Sequence, residues 1–150
     1  MPHPHQLPEL DELQRVIALG GAHLQVTTQP LAGHPPLYTV TLGNPSRDVP
    51  AVGFFGGVHG LERIGSQVVI AYLHALVTRL RWDASVHALL DQVRLVFMPV
   101  VNPGGMLRHT RANPNGVDLM RNAPVDAREP VPLLVGGQRI SAGLPWYRGR

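Results

Sequence analysis

The feature that most constrains the fold is a pair of short apolar segments separated by a glycine turn and a long helical pattern. Residues 51–55 are apolar and end at Gly56 and Gly57, and residues 93–101 form a second apolar run. Between them, residues 61–80 carry apolar side chains at helical spacing. Strand, turn, helix and strand make a βαβ unit. The sequence therefore predicts an α/β fold with a mixed, largely parallel sheet flanked by helices.

The remaining regular patterns add helices and a hairpin. Residues 8–19 show helical spacing, whereas residues 23–28 and 37–42 alternate as β-strands do. The two strands are expected to form a hairpin across residues 29–36. A short helix is predicted over residues 83–90, with Asp83 as its N-cap.

Two further expectations concern packing and the second half of the chain. The long helix is expected to bury Val68, Tyr72, Ala75 and Leu76. Regularity fades after Gly105, and residues 131–135 suggest one more strand. No sequence repeat or low-complexity tract interrupts the chain, so residues 1–150 are interpreted as a single domain, although an incomplete one.

Composition limits the chemistry that the chain can carry. Of its 150 residues 44% are hydrophobic, which is enough for a core, and none is cysteine. Disulfides and cysteine-ligated zinc are therefore excluded, so any metal must be held by His, Asp or Glu.

The charge pattern and the amino terminus bear on partners and location. All 13 basic residues are arginine, and they are scattered among proline and glycine, which disfavours a nucleic-acid surface. Arginine also suits the recognition of carboxylates. The first ten residues lack the apolar core of a secretory signal, and no apolar run is long enough to span a bilayer. A cytoplasmic protein without a membrane partner is expected; its oligomeric state is left open.

The first candidate site is the segment that follows residues 51–55. His59 and Glu62 stand three residues apart at the predicted junction of strand and helix. That spacing lets both side chains face one point, and imidazole and carboxylate are ordinary zinc ligands. In α/β folds ligands collect at the carboxyl ends of parallel strands. Taken alone, however, a His-x-x-Glu pattern is more often a pair of surface residues.

Two more segments are ambiguous when taken alone. Asn102-Pro103-Gly104-Gly105 is a turn pattern after a strand. Residues 111–122 contain two arginines and one aspartate, which suit either a solvated surface or an anion site.

Together, in this order, the three segments resemble the zinc metallocarboxypeptidase family, which includes carboxypeptidase A and the murein-peptide amidases. Members of that family carry His-x-x-Glu, then Asn-Pro-Asp-Gly, then Arg and Gly-Val-Asp-Leu-Asn-Arg-Asn. The resemblance covers about residues 51–122 and implies that His59 and Glu62 bind Zn²⁺. It also implies that Asp118 accepts a hydrogen bond from His59 and fixes its tautomer.

The same resemblance implies roles for four polar residues that face the substrate. Arg111 would stabilise the polarised carbonyl oxygen, with Arg108 as the rival for that position. Arg121 would bind a substrate carboxylate, and Asn102 is assigned to the substrate-binding set.

The chain departs from the family pattern in three respects, of which Gly104 in place of the aspartate in the Asn-Pro turn matters least. Met120 replaces the asparagine that helps the neighbouring Arg121 bind a terminal carboxylate. Methionine cannot make that hydrogen bond, which argues against strict carboxypeptidase specificity. The family's third zinc ligand is a later histidine and its base a later glutamate, but no histidine follows His109 and no acid follows Glu129. The expectation is therefore that the chain is the amino-terminal portion of the domain and that it is inactive by itself.

The expected function is zinc-dependent hydrolysis of an amide bond next to a carboxylate. The substrate would be a peptide or an acyl-amino acid with a free carboxylate. One alternative is an acyl-amino-acid deacylase of the aspartoacylase type. Another is a non-catalytic module that binds carboxylates.

Overall fold

The computed structural model of the protein describes residues 7–123. Its helices are α1 (Pro8–Gly20), α2 (Arg63–Arg79), α3 (Ala84–Leu90) and α4 (Pro103–Leu107), and a 3₁₀ turn covers Gly21–His23. Its strands are β1 (Gln25–Leu31), β2 (His34–Gly43), β3 (Ala51–Phe55) and β4 (Arg94–Met98). The strand predicted over residues 131–135 lies outside the described residues. Within this part of the chain, no helix has the length and apolar character needed to cross a membrane.

The four described strands form one mixed sheet in the order β1-β2-β4-β3. β3 and β4 are parallel, as the βαβ pattern predicts. The β1–β2 and β2–β4 pairs are antiparallel. The mixed α/β class is confirmed, but the expectation of a largely parallel sheet is wrong for these strands. The reason is that the hairpin adds both of its strands antiparallel, and only the crossover through α2 produces a parallel pair.

The β1–β2 hairpin is tighter than its prolines predict. The strands meet at Leu31 and His34, so the connection is two residues long and Gly33 takes the positive φ of 69° that the turn needs. Pro30, which has no N–H to donate, lies where the register shifts between Gln29 and Leu31. Because the strand pairing accommodates Pro30 at this irregularity, β1 and β2 extend into residues 29–36, which the sequence predicted to be a loop.

One hydrophobic cluster joins the helices to the sheet. α1 contributes Leu13 and Val16, α2 contributes Leu73 and Val77, and the sheet contributes Phe97, all essentially inaccessible to solvent. α1 packs along α2, which in turn contacts β3 and β4. Asp83 caps α3 as predicted, because its Oδ1 accepts a hydrogen bond from the Ser85 backbone N–H at 3.0 Å.

The buried face of α2 differs from the predicted one. Leu76 is buried as expected, but Val68 is 60% exposed, Tyr72 is 42% exposed and Ala75 is also exposed. Apolar residues surround most of this helix, so the sequence pattern does not choose between faces. The face that contains Leu73 is buried in the cluster that α2 forms with α1 and the sheet.

Close backbone contact brings the loops after β3 and β4 together. The Asn102 backbone N–H donates to the Gly57 carbonyl at 2.9 Å. Gly57 has φ 62°, and a Cβ there would lie 2.4 Å from Ser66 Oγ. A Cβ at Gly60 would lie 2.0 Å from the Gly105 carbonyl carbon. Only glycine allows the loop that contains the His-x-x-Glu motif to pack this closely on α4.

The burial pattern of α2 predicts that two side-chain substitutions on this helix change the free energy of unfolding by different amounts. Leu73→Ala removes a fully buried side chain and should lower the free energy of unfolding by about 2–5 kcal/mol. Val68→Ala removes an exposed one and should change it by less than about 1 kcal/mol. Urea unfolding of both variants measures the difference. Equal losses would contradict the described orientation of α2.

Candidate active site

His59 and Glu62 converge at the start of α2. His59 is buried, and its Nδ1 lies 3.1 Å from Glu62 Oε1. The Glu62 backbone N–H donates to the His59 carbonyl at 3.0 Å, so one tight turn positions both side chains. Glu62 is the N-cap residue of α2, but its side chain does not cap the helix. Instead its half-exposed carboxylate turns towards His59, which confirms the predicted convergence of the two side chains.

The carboxylate of Asp118 lies on the other side of the imidazole and is fully buried. Its Oδ1 is 3.2 Å from His59 Nε2, as the sequence predicted. The same oxygen accepts hydrogen bonds from the backbone N–H groups of Met120 at 3.0 Å and Arg121 at 3.3 Å. If Nε2–H donates to Asp118, Nδ1 keeps the lone pair that faces Glu62, which is the arrangement a metal ligand requires.

Arg111 connects the two carboxylates. Its Nε donates to Asp118 Oδ2 at 2.8 Å, and its Nη1 donates to Glu62 Oε1 at 3.3 Å. Four side chains therefore form one charged cluster: His59, Glu62, Arg111 and Asp118. The sequence did not reveal the two Arg111 bridges, because the loop that holds Arg111 and Asp118 has no periodicity from which contacts can be inferred.

Opposing effects set the pKa of Asp118. Burial by itself raises the pKa of this carboxyl group, whereas hydrogen bonds from Arg111, the Arg121 backbone and His59 lower it. The net result is a pKa below the ordinary 3.8. Asp118 is therefore ionised at neutral pH and acts only as an acceptor towards its neighbours.

The other two predicted arginines are exposed. Arg108 is exposed, and its Nη1 donates to the Pro114 carbonyl at 3.0 Å. Arg121 is exposed, with its backbone anchored on Asp118. Met120 beside it is 55% exposed. The structure thus brings Arg111, rather than Arg108, to the His59–Glu62 pair.

Asn102 contacts the protein's own backbone. Its Oδ1 accepts from the Gly105 N–H at 2.9 Å and caps α4, while its Nδ2 donates to the carbonyls of Val58 at 3.3 Å and Arg111 at 3.5 Å. It is buried between the loop that carries His59 and the loop that carries Arg111. The Asn-Pro pair is a helix-start signal that points to this structural role; binding of substrate by Asn102 stays a prediction.

The donor set agrees with part of a zinc site. One imidazole nitrogen and one carboxylate oxygen approach the same point, and both groups are common zinc ligands. Within residues 7–123 no group of three His, Cys, Asp or Glu side chains is arranged to hold a metal ion. The described residues thus bring together two side chains of the kinds that bind zinc, with the Asp118 carboxylate facing the imidazole of one of them.

Comparison with known proteins agrees with this geometry. The sequence model of the zinc carboxypeptidase family matches residues 27–130. The chain belongs to that family. It is 28% identical over 92 residues to carboxypeptidase SOL1 of Arabidopsis thaliana, which covers 59% of the chain and 19% of the relative. It is 29% identical over 85 residues to carboxypeptidase M of Mus musculus, covering 51% and 19%.

Solved structures of family members share the fold. The structure of a metallo-carboxypeptidase from Burkholderia cenocepacia superposes with a TM-score of 0.63 at 23% identity, and covers 75% of this chain and 31% of that one. The chain thus spans about a fifth of the length of the relatives that it matches and about a third of the solved structure.

The lowered pKa of Asp118 predicts how stability depends on pH. A carboxylate whose pKa is lower in the folded state stabilises the fold above its unfolded value, and that contribution is lost as the pH falls through the folded value. The free energy of unfolding should therefore fall as the pH is lowered below about 4, close to the ordinary pKa of 3.8. Asp118→Asn should remove part of this acid dependence. Urea unfolding across pH 2–7 measures it.

The matched control for that experiment is Asp48→Asn. Asp48 is exposed, and its carboxylate accepts a hydrogen bond from the Ser46 hydroxyl at 3.4 Å. This variant should keep the acid dependence of the parent. If Asp118→Asn also keeps all of it, the buried carboxylate does not contribute in the way its contacts imply.

Proposed function

We propose that this chain contributes part of the active site of a zinc-dependent hydrolase, which cleaves an amide bond next to a free carboxylate. The observation that carries the proposal is the convergence of His59 and Glu62 at 3.1 Å, with Asp118 behind the imidazole and Arg111 beside both carboxylates. Membership of the zinc carboxypeptidase family supports the same reaction class.

In this proposal His59 Nδ1 and a Glu62 carboxylate oxygen hold the metal. A bound zinc ion would polarise the scissile carbonyl and lower the pKa of a coordinated water to about 7. Asp118 keeps the proton of the imidazole on Nε2, away from the metal. Because the chain has no histidine after His109 and no acid after Glu129, the proposal takes the third ligand and the general base from outside this chain.

Arg111 is proposed to stabilise the negative charge that develops on the carbonyl oxygen. Its guanidinium is already 3.3 Å from the Glu62 carboxylate, so it lies beside the proposed metal position. Arg108 is a weaker candidate, because it is exposed and donates to the Pro114 carbonyl. Arg121 is proposed to bind the carboxylate of a peptide or acyl-amino-acid substrate, since its side chain is exposed while its backbone N–H is anchored on Asp118.

The family match favours neither alternative function. A deacylase of the aspartoacylase type would use the same His-x-x-Glu pair, but the matched family is zinc carboxypeptidase. A non-catalytic carboxylate-binding module would not need an ordered metal-ligand pair with a buried partner. Chelator-sensitive hydrolysis separates the enzyme hypotheses from the binding module, and comparing peptides with acyl-amino acids separates the two enzymes.

Two arginine variants test the assignment in a longer protein that includes this chain and hydrolyses a peptide substrate. Arg111→Gln should lower kcat by about 10²–10³-fold, because a donor to the developing oxyanion is lost. Arg108→Gln removes the same charge from an exposed position and should leave kcat within about threefold. Metal content is measured in both variants. Equal losses of kcat in the two variants would contradict the role of Arg111, and an activity that survives a chelator would contradict the role of the metal. Chelator-sensitive turnover by the 150-residue chain alone would contradict the proposal that the chain carries only part of the site.

Met120 provides a test of how the substrate is bound. Replacing it with asparagine places an amide next to Arg121, where it can donate to the substrate carboxylate. A hydrogen bond to a charged group contributes about 1.5–3 kcal/mol, so KM for a simple carboxypeptidase substrate should fall by roughly tenfold or more. Met120→Gln is the control of similar polarity and greater length. An unchanged KM for Met120→Asn would show that this position does not border the carboxylate.

A further inference from the structure

Helix α1 carries a buried carboxylate next to the metal-ligand segment, although α1 precedes the residues that match the zinc carboxypeptidase family. Glu9 lies in the first turn of α1 and is only 4% exposed. The carboxylates of Glu12 and Asp11 on the same helix are more exposed. A buried glutamate is costly unless it is paired, so its partners indicate why it is there.

The partners of Glu9 are two residues in the first turns of α2. Arg63 donates from Nε to Glu9 Oε1 at 2.8 Å and from Nη2 to Glu9 Oε2 at 2.5 Å, which is a bidentate pair. Gln67, one turn later, donates to Oε1 at 3.4 Å. Arg63 is the first residue of α2 and follows directly after the proposed ligand Glu62.

The start of α2 depends on this pair because it has no side-chain cap of its own. The N-cap residue is Glu62, whose carboxylate faces His59 and Arg111 instead of the helix N–H groups. The local hydrogen bond that ordinarily fixes a helix start is therefore missing at this point. Instead, the bidentate pair with Glu9 holds Arg63, the residue that follows Glu62, against α1.

We propose that Glu9 is a positioning residue for the metal site: through Arg63 it fixes the first turn of α2 and with it the carboxylate of Glu62. This inference rests on the proposed function, because it takes Glu62 to be a ligand. The role belongs to α1, so it adds an element to the site that the family match does not include.

The charge state of Glu9 agrees with this role. Burial raises the pKa of its carboxyl group, but the hydrogen bonds and charge of Arg63, with a smaller contribution from Gln67, bring the pKa below the ordinary 4.5. The pair is thus ionic at neutral pH. Removing the carboxylate leaves the Arg63 guanidinium without its partner and frees the start of the helix.

The test compares two identical substitutions on α1 in the 150-residue chain. Glu9→Gln removes the buried carboxylate that binds Arg63, whereas Glu12→Gln removes a half-exposed carboxylate that pairs with Arg15 on the same helix. Titration with Co²⁺ at pH 7, followed by NMR signals of His59 and Glu62, gives the metal affinity of the folded chain. Hydrogen exchange of the first hydrogen-bonded amides of α2, residues 66–69, is measured without metal, and urea unfolding of each variant is measured in parallel.

Glu9→Gln should weaken Co²⁺ binding by about three- to tenfold, less than the 10–100-fold typical of a group bonded directly to a ligand. It should also speed exchange of the amides of residues 66–69 more than that of amides at the middle of α2, whereas Glu12→Gln should change neither quantity. Glu9→Asp keeps the charge but is too short to reach both guanidinium nitrogens, and it should give an intermediate result. It replaces Glu9→Gln if that variant does not fold.

The outcomes separate this inference from the function on which it rests. A parent chain that binds no Co²⁺ at His59 and Glu62 contradicts the proposed ligand pair, and the exchange rates then decide the role of Glu9. A parent that binds, with Glu9→Gln indistinguishable from Glu12→Gln, overturns the positioning role alone. A loss of unfolding free energy with unchanged metal affinity and uniform exchange shows a purely structural ion pair and also overturns it.

Discussion

The hydrogen bonds of the buried Asp118 carboxylate organise the candidate site. This carboxylate is inaccessible to solvent, yet it is ionised, because His59, Arg111 and two backbone N–H groups surround it with donors. A buried charge is tolerated only when such partners compensate for the water it has lost. The need to satisfy Asp118 therefore brings the loop that contains Arg111 against the turn that contains His59, and it determines which imidazole nitrogen is left for a metal.

The fold prepares this arrangement through close contact of two loops. β3 and β4 are parallel, so their carboxyl ends lie side by side and the loops that follow them meet. Glycine at Gly57 and Gly60 allows backbone to approach backbone, and Asn102 then bonds to both loops. His59 and Glu62 consequently lie on a turn that is fixed on the sheet side by β3 and on the helix side by the first residue of α2.

The sequence predicted those parts of the structure that follow from periodicity and ordered motifs. Strand β3, the cap Asp83, the His59–Glu62 convergence and the His59–Asp118 contact were all predicted, because each depends on local spacing or on a motif that specifies a pair. The buried face of α2 was not, because apolar residues lie on most sides of this helix and the sequence pattern does not choose between its faces. The Arg111–Glu62 and Glu9–Arg63 pairs were also not predicted, because they join residues 49 and 54 positions apart in the chain through tertiary contact alone. The Arg111–Asp118 pair was not predicted either, because it lies within a loop that has no periodicity.

The most direct test of this account is to identify the ring nitrogen of His59 that binds zinc. Long-range ¹H–¹⁵N spectra of the imidazole, recorded while the chain is titrated with Zn²⁺, distinguish the two nitrogens. We expect Nδ1 to show the metal-induced shift, while Nε2 keeps its proton and its hydrogen bond to Asp118. Binding through Nε2, or no shift at either nitrogen at millimolar zinc, would contradict it, because Asp118 would then not be the group that orients a metal ligand.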